Sequence, residues 1–195
     1  MIEKHPFTPF LPHGARAVLC GTFPPKRDKW SMDFFYPNFQ NDMWRIFGLI
    51  YFGDKDHFFD KARKKVDKEG IKKMLADHHI GIGETATEAI RTKDNASDKF
   101  LEIVTPVNLP ELLAKAPECQ AIVTTGEKAA SVIAGLTDTP LPRMGEHVEC
   151  EVMMSDGSRR VFQHWRMPST SRAYPMKLEA KKDYYLDMLR ELGLA

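Results

Sequence analysis

The sequence predicts an α/β protein, a three-layer α/β/α sandwich around a central, mainly parallel sheet. Three observations predict it. The apolar run Ala17-Val18-Leu19-Cys20 stops at Gly21-Thr22-Phe23-Pro24-Pro25. It reads as a buried strand ending in a stiff loop, because two prolines fix φ and continue neither strand nor helix pairing. The β-branched runs at residues 102–105 and 121–125 flank a short helical stretch at 110–116, an alternation that implies parallel pairing. The 195 residues, 43% hydrophobic and 28% charged, contain no repeat, linker or low-complexity tract, so residues 1–195 are expected to form one domain.

In chain order, a proline-rich arm (Pro6, Pro9, Pro12) leads into the strand at residues 15–20. Residues 41–51 form a helix, with Met43, Trp44, Phe47 and Ile50 at helical spacing. A helical hairpin is expected next, with helices at residues 58–66 and 71–77. Phe58, Ala62, Val66, Met74 and Leu75 supply its apolar stripe, and the basic run from Lys61 to Lys73 reads as its solvated face. His78-His79-Ile80-Gly81-Ile82-Gly83 re-enters the sheet or its rim, where the glycines permit close backbone approach. Helix 110–116 opens with Pro110 in a favoured first-turn position. A helix at 126–135 follows strand 121–125, strands at 148–154 and 161–165 surround the Asp156-Gly157 turn, and residues 176–192 close the chain as an amphipathic helix.

Composition narrows the function classes. No stretch approaches the roughly 20 apolar residues that span a bilayer, and the first residues lack the apolar core of a signal peptide, so no membrane partner and a cytoplasmic location are expected. Cys20, Cys119 and Cys150 lie far apart without a Cys-x-x-Cys pair, too few thiolates for an iron–sulfur cluster or a structural zinc site, and are expected to be reduced and buried. The seven histidines show no metal-ligand spacing, and none is assigned a role. A net charge of +1 neither announces nor excludes a nucleic-acid partner.

Three segments carry candidate chemistry. The loop of Gly21, Thr22 and Phe23, closed by Pro24 and Pro25, offers two amides and an aromatic face. It does not suit a phosphate cradle, which needs consecutive N–H donors that proline lacks. The second segment sets Tyr36 before Pro37 and the amides Asn38, Gln40 and Asn41 at a helix start. Asn41 either caps that helix or uses its donors and acceptor to hold water or a base edge, with Tyr36 or Phe23 as stacking face. The third, Met167-Pro168-Ser169-Thr170-Ser171-Arg172-Ala173-Tyr174, either caps a helix or faces DNA. In the DNA-facing reading its hydroxyls grip phosphates and Arg172 or Tyr174 fills the gap left by an extruded nucleotide. Thr125-Gly126-Glu127-Lys128 lacks the upstream glycine and following Ser/Thr of a Walker motif and reads as a strand-to-helix turn.

Taken together, these segments resemble the uracil-DNA glycosylase superfamily, particularly its mismatch-specific, thymine-DNA and hypoxanthine-DNA branches. Gly21-Thr22-Phe23-Pro24-Pro25 is similar to the first motif, Asn41-Asp42-Met43-Trp44 to the Asn-x-Phe-Trp that opens the next helix, and Met167-Pro168-Ser169-Thr170-Ser171 to the second motif. Gly81-Ile82-Gly83-Glu84 and Asn95-Ala96-Ser97-Asp98 match two intervening segments, in the family's order. Phe23 stands where several branches place the Asn that positions water, Pro25 replaces the closing Gly, and the second motif has no His.

The resemblance implies a monofunctional DNA glycosylase that flips a deaminated or mispaired base from DNA, duplex or single-stranded, and hydrolyses its N-glycosidic bond without cofactor or metal. It implies that Asn41 is the key Asn, and Glu84 is a candidate general base or a capping carboxylate. Gly21, Thr22, Phe23 and Tyr36 would bind the base, and Ser169, Thr170, Ser171, Arg172 and Tyr174 the DNA. A monomer is expected. Two alternatives stay open: a non-catalytic lesion-binding module of the same fold, motivated by Phe23, and a hydrolase of free nucleosides.

Overall fold

The computed structural model describes residues 1–92 and 100–195. In chain order the elements are β1 (Ile2–Lys4), β2 (Ala17–Gly21), α1 (Met43–Phe52), β3 (Phe59–Asp60), β4 (Lys65–Val66), α2 (Lys68–Asp77), β5 (Ile80–Glu84), β6 (Ala86–Arg91), β7 (Leu101–Pro106), α3 (Leu109–Lys115), β8 (Ala121–Thr125), α4 (Glu127–Thr137), β9 (His147–Met153), β10 (Arg159–Met167) and α5 (Leu178–Glu191). The central sheet has the order β5-β2-β8-β10-β9. Its first four strands are parallel, and β9 joins the edge antiparallel to β10.

Helices cover both faces, so the inner strands bury both sides and read as continuous apolar runs. On one face Leu19, Ile82, Val123 and Trp165 meet Trp44 and Phe47 of α1, Leu75 of α2 and Tyr185 of α5. On the other, Val18, Ile122 and Phe162 meet Leu112 and Leu113 of α3 and Ile133 of α4. This is the three-layer α/β/α sandwich expected, and the three cysteines are free and buried within it. Among the described residues, no helix is long and apolar enough to cross a membrane.

Two expectations are corrected. Residues 58–66 do not form a helix: β3 and β4 pair as a short antiparallel hairpin, with Phe59 opposite Val66. The run Lys61-Ala62-Arg63-Lys64-Lys65 offers almost nothing to bury, whereas Phe59 gains a site against Phe39 and Arg45. Nor does the strand at 102–105 pair in parallel with the central sheet. β7 pairs antiparallel with β6, which pairs antiparallel with β1 in a separate three-stranded sheet. Strand β6 passes unread in the sequence because its inward residues, Ala86 and Ala89, are small and its register shifts at Glu88. The Asn95-Ala96-Ser97-Asp98 segment lies outside the described residues.

Candidate functional site

Three sequence-distant loops converge at the carboxyl ends of β2, β8 and β10, where open α/β sheets place ligands. They enclose a cleft of about 1060 Å³ whose lining includes Gly21, Thr22, Phe23, Tyr36, Asn41, Ser169, Thr170, Ser171, Arg172 and Tyr174. Every residue assigned to the site from sequence is therefore brought together, except Glu84.

The floor is set by Gly21, Tyr36 and Thr125. Tyr36 has a φ of 51°, in the left-handed region that non-glycine residues rarely occupy. Its hydroxyl shares a 2.7 Å hydrogen bond with the Thr125 hydroxyl at the end of β8. It also reaches so close to β2 that a Cβ at position 21 would stand 2.8 Å from the Tyr36 hydroxyl oxygen. Gly21 is thus required by a close approach. Gly21→Ala is expected to cost about 1–3 kcal/mol by overpacking. The loss should shrink by about 1 kcal/mol in a Tyr36→Phe background, read from urea denaturation of the four proteins of the cycle.

Asn41 sits at the rim, just before α1. Its Oδ1 accepts a hydrogen bond from the Met43 N–H at 2.9 Å, an Asx turn leading into α1, whose N-cap residue is Asp42 rather than the expected Asn41. That bond engages one lone pair and leaves the carboxamide N–H donors and the second lone pair for a ligand in the cleft that Asn41 lines.

Next to it, sequence reasoning missed a buried ion pair. Asp42, 3% exposed, accepts from the Lys181 ammonium at 2.9 Å, and Lys181 is fully buried on α5. Lys181 also donates to the Ser171 carbonyl at 2.8 Å, and the Asp42 N–H donates to the Thr170 carbonyl at 2.9 Å. Arg172, its side chain 60% exposed, approaches Asp42 at 3.4 Å. The pair thereby straps the third loop to the start of α1. Within that loop, the Ser169 and Ser171 hydroxyls accept from backbone N–H groups two residues on, holding its turns.

An aromatic wall closes one side. His5, beyond β1, stacks on Phe35 with centroids 5.5 Å apart and meets Phe23 edge-on at 5.1 Å. Burial pushes the His5 imidazole down to about 4, so it is neutral at physiological pH. No local signal in the sequence assigns His5 a role, because its place depends on its backbone N–H donating to the Thr87 carbonyl of β6 at 2.8 Å. The strand-to-helix turn after β8 also belongs to the site. Gly126, Glu127, Lys128 and Ser131 line the cleft, and Gly126, with φ 96°, abuts Ser169.

Glu84 ends β5 beside Gly21 but does not line the cleft, although its neighbour Gly83 does. It is 6% exposed, and its Oε2 has no hydrogen-bond partner among the described residues. Burial pushes its carboxyl up to about 7 from the ordinary 4.5. The folded state therefore holds this proton more tightly than the unfolded chain. Stability is lost as pH rises from about 4.5 to about 7, by at most about 1.4 kcal/mol per pH unit, and levels off above. Glu84→Gln is expected to remove that component, so the variant gains on wild type across this window in melts at successive pH values. A general base without access to the cleft has no water to activate there, and Glu84 is not assigned that role.

The fold places the chain in a recognisable class, that of three-layer α/β/α sandwiches with a cleft at the carboxyl ends of the parallel strands. The structure is similar to the solution NMR structure of a protein from Methanosarcina acetivorans described as a "putative Uracil DNA glycosylase", with a TM-score of 0.63 and 19% sequence identity over 99% of both chains. No protein-family model and no curated protein matches the chain. At this identity the likeness defines the fold.

Proposed function

We propose that the chain is a monofunctional DNA glycosylase that takes a deaminated or mispaired base, such as uracil or hypoxanthine, out of DNA and hydrolyses its N-glycosidic bond in base-excision repair. The observation that carries this reading is the convergence of the loop after β2, the Tyr36-to-Asn41 segment and the loop after β10 on one cleft. The similarity of the fold to the Methanosarcina protein supports it.

In this reading the flipped base enters the cleft against Phe23 and Tyr36, a stacking surface that tolerates any base. The bond from C1′ to the base nitrogen breaks with its electron pair leaving on the base, and a water oxygen then bonds to C1′ and loses its proton. Because the sugar carries oxocarbenium-like charge before attack, a weak nucleophile suffices, and positioned dipoles supply the stabilisation. Among the described residues lining the cleft, the carboxylate is Glu127, which is paired with Arg166 at 2.8 Å. Asn41 is therefore the group proposed to hold the water or the leaving base. Neutral His5 adds a polar edge to an otherwise aromatic wall. Ser169, Thr170 and Ser171 offer hydroxyls to flanking phosphates, and Arg172 and Tyr174 fill the vacated stack.

Phe23, at the position where several branches of the resembled family have Asn, favours a second reading, a lesion-binding module that does not cut. A base-release assay on oligonucleotides carrying uracil, hypoxanthine, xanthine or a G·T mismatch separates the two. Free base from one or more of these supports the glycosylase. Salt-sensitive binding to abasic DNA with no base released from any supports the module. Cleavage of free nucleosides without DNA affinity contradicts both.

A further inference from the structure

The basic run between α1 and α2 is not a helix face, and it lies on a hairpin anchored to the segment that precedes α1. Residues 61–65 read Lys-Ala-Arg-Lys-Lys and form the tip and return strand of the β3–β4 hairpin. Phe59 anchors the hairpin: its ring meets Phe39 edge-on at 5.2 Å and lies under the Arg45 guanidinium at 3.8 Å. Arg45 in turn donates to the Phe39 and Asn41 carbonyls at 2.7 and 3.1 Å. The hairpin is thus keyed to the stretch of backbone that carries Asn38, Gln40 and Asn41 on the rim of the cleft.

Part of its charge is spent locally. Lys61 pairs with Asp56 at 2.6 Å, and Arg63 stands 3.7 Å from Asp60. Lys64 and Lys65 are exposed, and among the described residues neither has a carboxylate within ion-pair distance. Two uncompensated ammonium groups on an anchored tip suit a polyanion better than a single ligand, since ammonium groups act as point charges without a directional fork.

We propose that the hairpin tip, through Lys64 and Lys65, binds the phosphate backbone of duplex DNA flanking the nucleotide held in the cleft. This rests on the glycosylase reading of the cleft and extends the DNA footprint from the loop after β10, on one side, to the α1–α2 connection on the other. The contact fixes the register of the duplex and carries no sequence information, as phosphate contacts do.

The test is a fluorescence-anisotropy titration of the full chain with a duplex carrying a stable abasic analogue, repeated across sodium chloride concentrations. Wild type is compared with Lys64→Asn/Lys65→Gln, where Asn suits the φ of 52° at position 64. A second variant, Lys73→Gln/Arg159→Gln, removes two exposed charges elsewhere. Melting curves verify that both variants are folded. The hairpin variant is expected to bind about tenfold more weakly near 0.1 M salt, with the slope of log K against log salt smaller by about 1–2, while the second variant matches wild type. Equal slopes for wild type and the hairpin variant, or equal losses in both variants, overturn the hairpin proposal and leave the glycosylase reading standing. Absence of salt-dependent binding by wild type overturns that reading itself.

Discussion

Replacing Asn41 by alanine is expected to lower single-turnover base release by about 10²- to 10³-fold, the usual loss when one preorganised polar group at a reacting centre is removed. Affinity for abasic DNA should change far less, because phosphate contacts dominate it. The structural role of Asn41 must be kept apart from the chemical one. Its Oδ1 accepts from the Met43 N–H, and losing that bond costs about 1 kcal/mol of stability. Asn41→Asp makes the separation: the carboxylate keeps the acceptor for Met43 and removes the N–H donors. A stable Asp variant without base release assigns the work to the donors, as stabilisation of the departing base requires. A stable and active Asp variant assigns it to the acceptor and to water. Full activity in the alanine variant contradicts both.

The second large effect concerns the strap. Lys181→Met removes the buried cation of Asp42, leaving only the largely exposed Arg172 at 3.4 Å, and is expected to destabilise the fold by about 3 kcal/mol, measured by urea denaturation. The double variant Asp42→Asn/Lys181→Met should recover more than half of that loss, because two neutral groups incur no unpaired buried charge. Additive losses in the double variant would mean that the two side chains are not coupled. The strap also shapes the site. The Lys181 ammonium holds the Ser171 carbonyl, so base release in the double variant reports how far the third loop depends on that bond for its position.

Much of this arrangement could be read in the chain. The elements β2, α1, β8, α4, β9, β10 and α5 announce themselves because each has a strong period and a turn signal at its end. The three loops of the cleft were legible for the same reason: proline, glycine and amide residues cluster where strands stop. What escaped depends on contacts remote in sequence. Asp42 meets Lys181 across 139 residues and Tyr36 meets Thr125 across 89, and neither partner carries a local mark of the other. His5 reaches the cleft because β1 docks on β6, a strand of small and polar residues. Residues 58–66 read as a helix because Phe58, Ala62 and Val66 fit a helical stripe, and only the tertiary site of Phe59 on Phe39 and Arg45 decides for the hairpin.

In the proposed function a flipped base lies in the cleft. It is tested most directly by a crystal structure of the full chain with duplex DNA carrying a 2′-fluoro analogue of the nucleotide it acts on, in which the fluorine slows cleavage by disfavouring the oxocarbenium-like state. The base is expected to be extruded between Phe23 and Tyr36, within hydrogen-bond reach of the Asn41 carboxamide or of a water it holds. A base that stays stacked in the duplex, or a duplex bound away from the carboxyl ends of β2, β8 and β10, would contradict it.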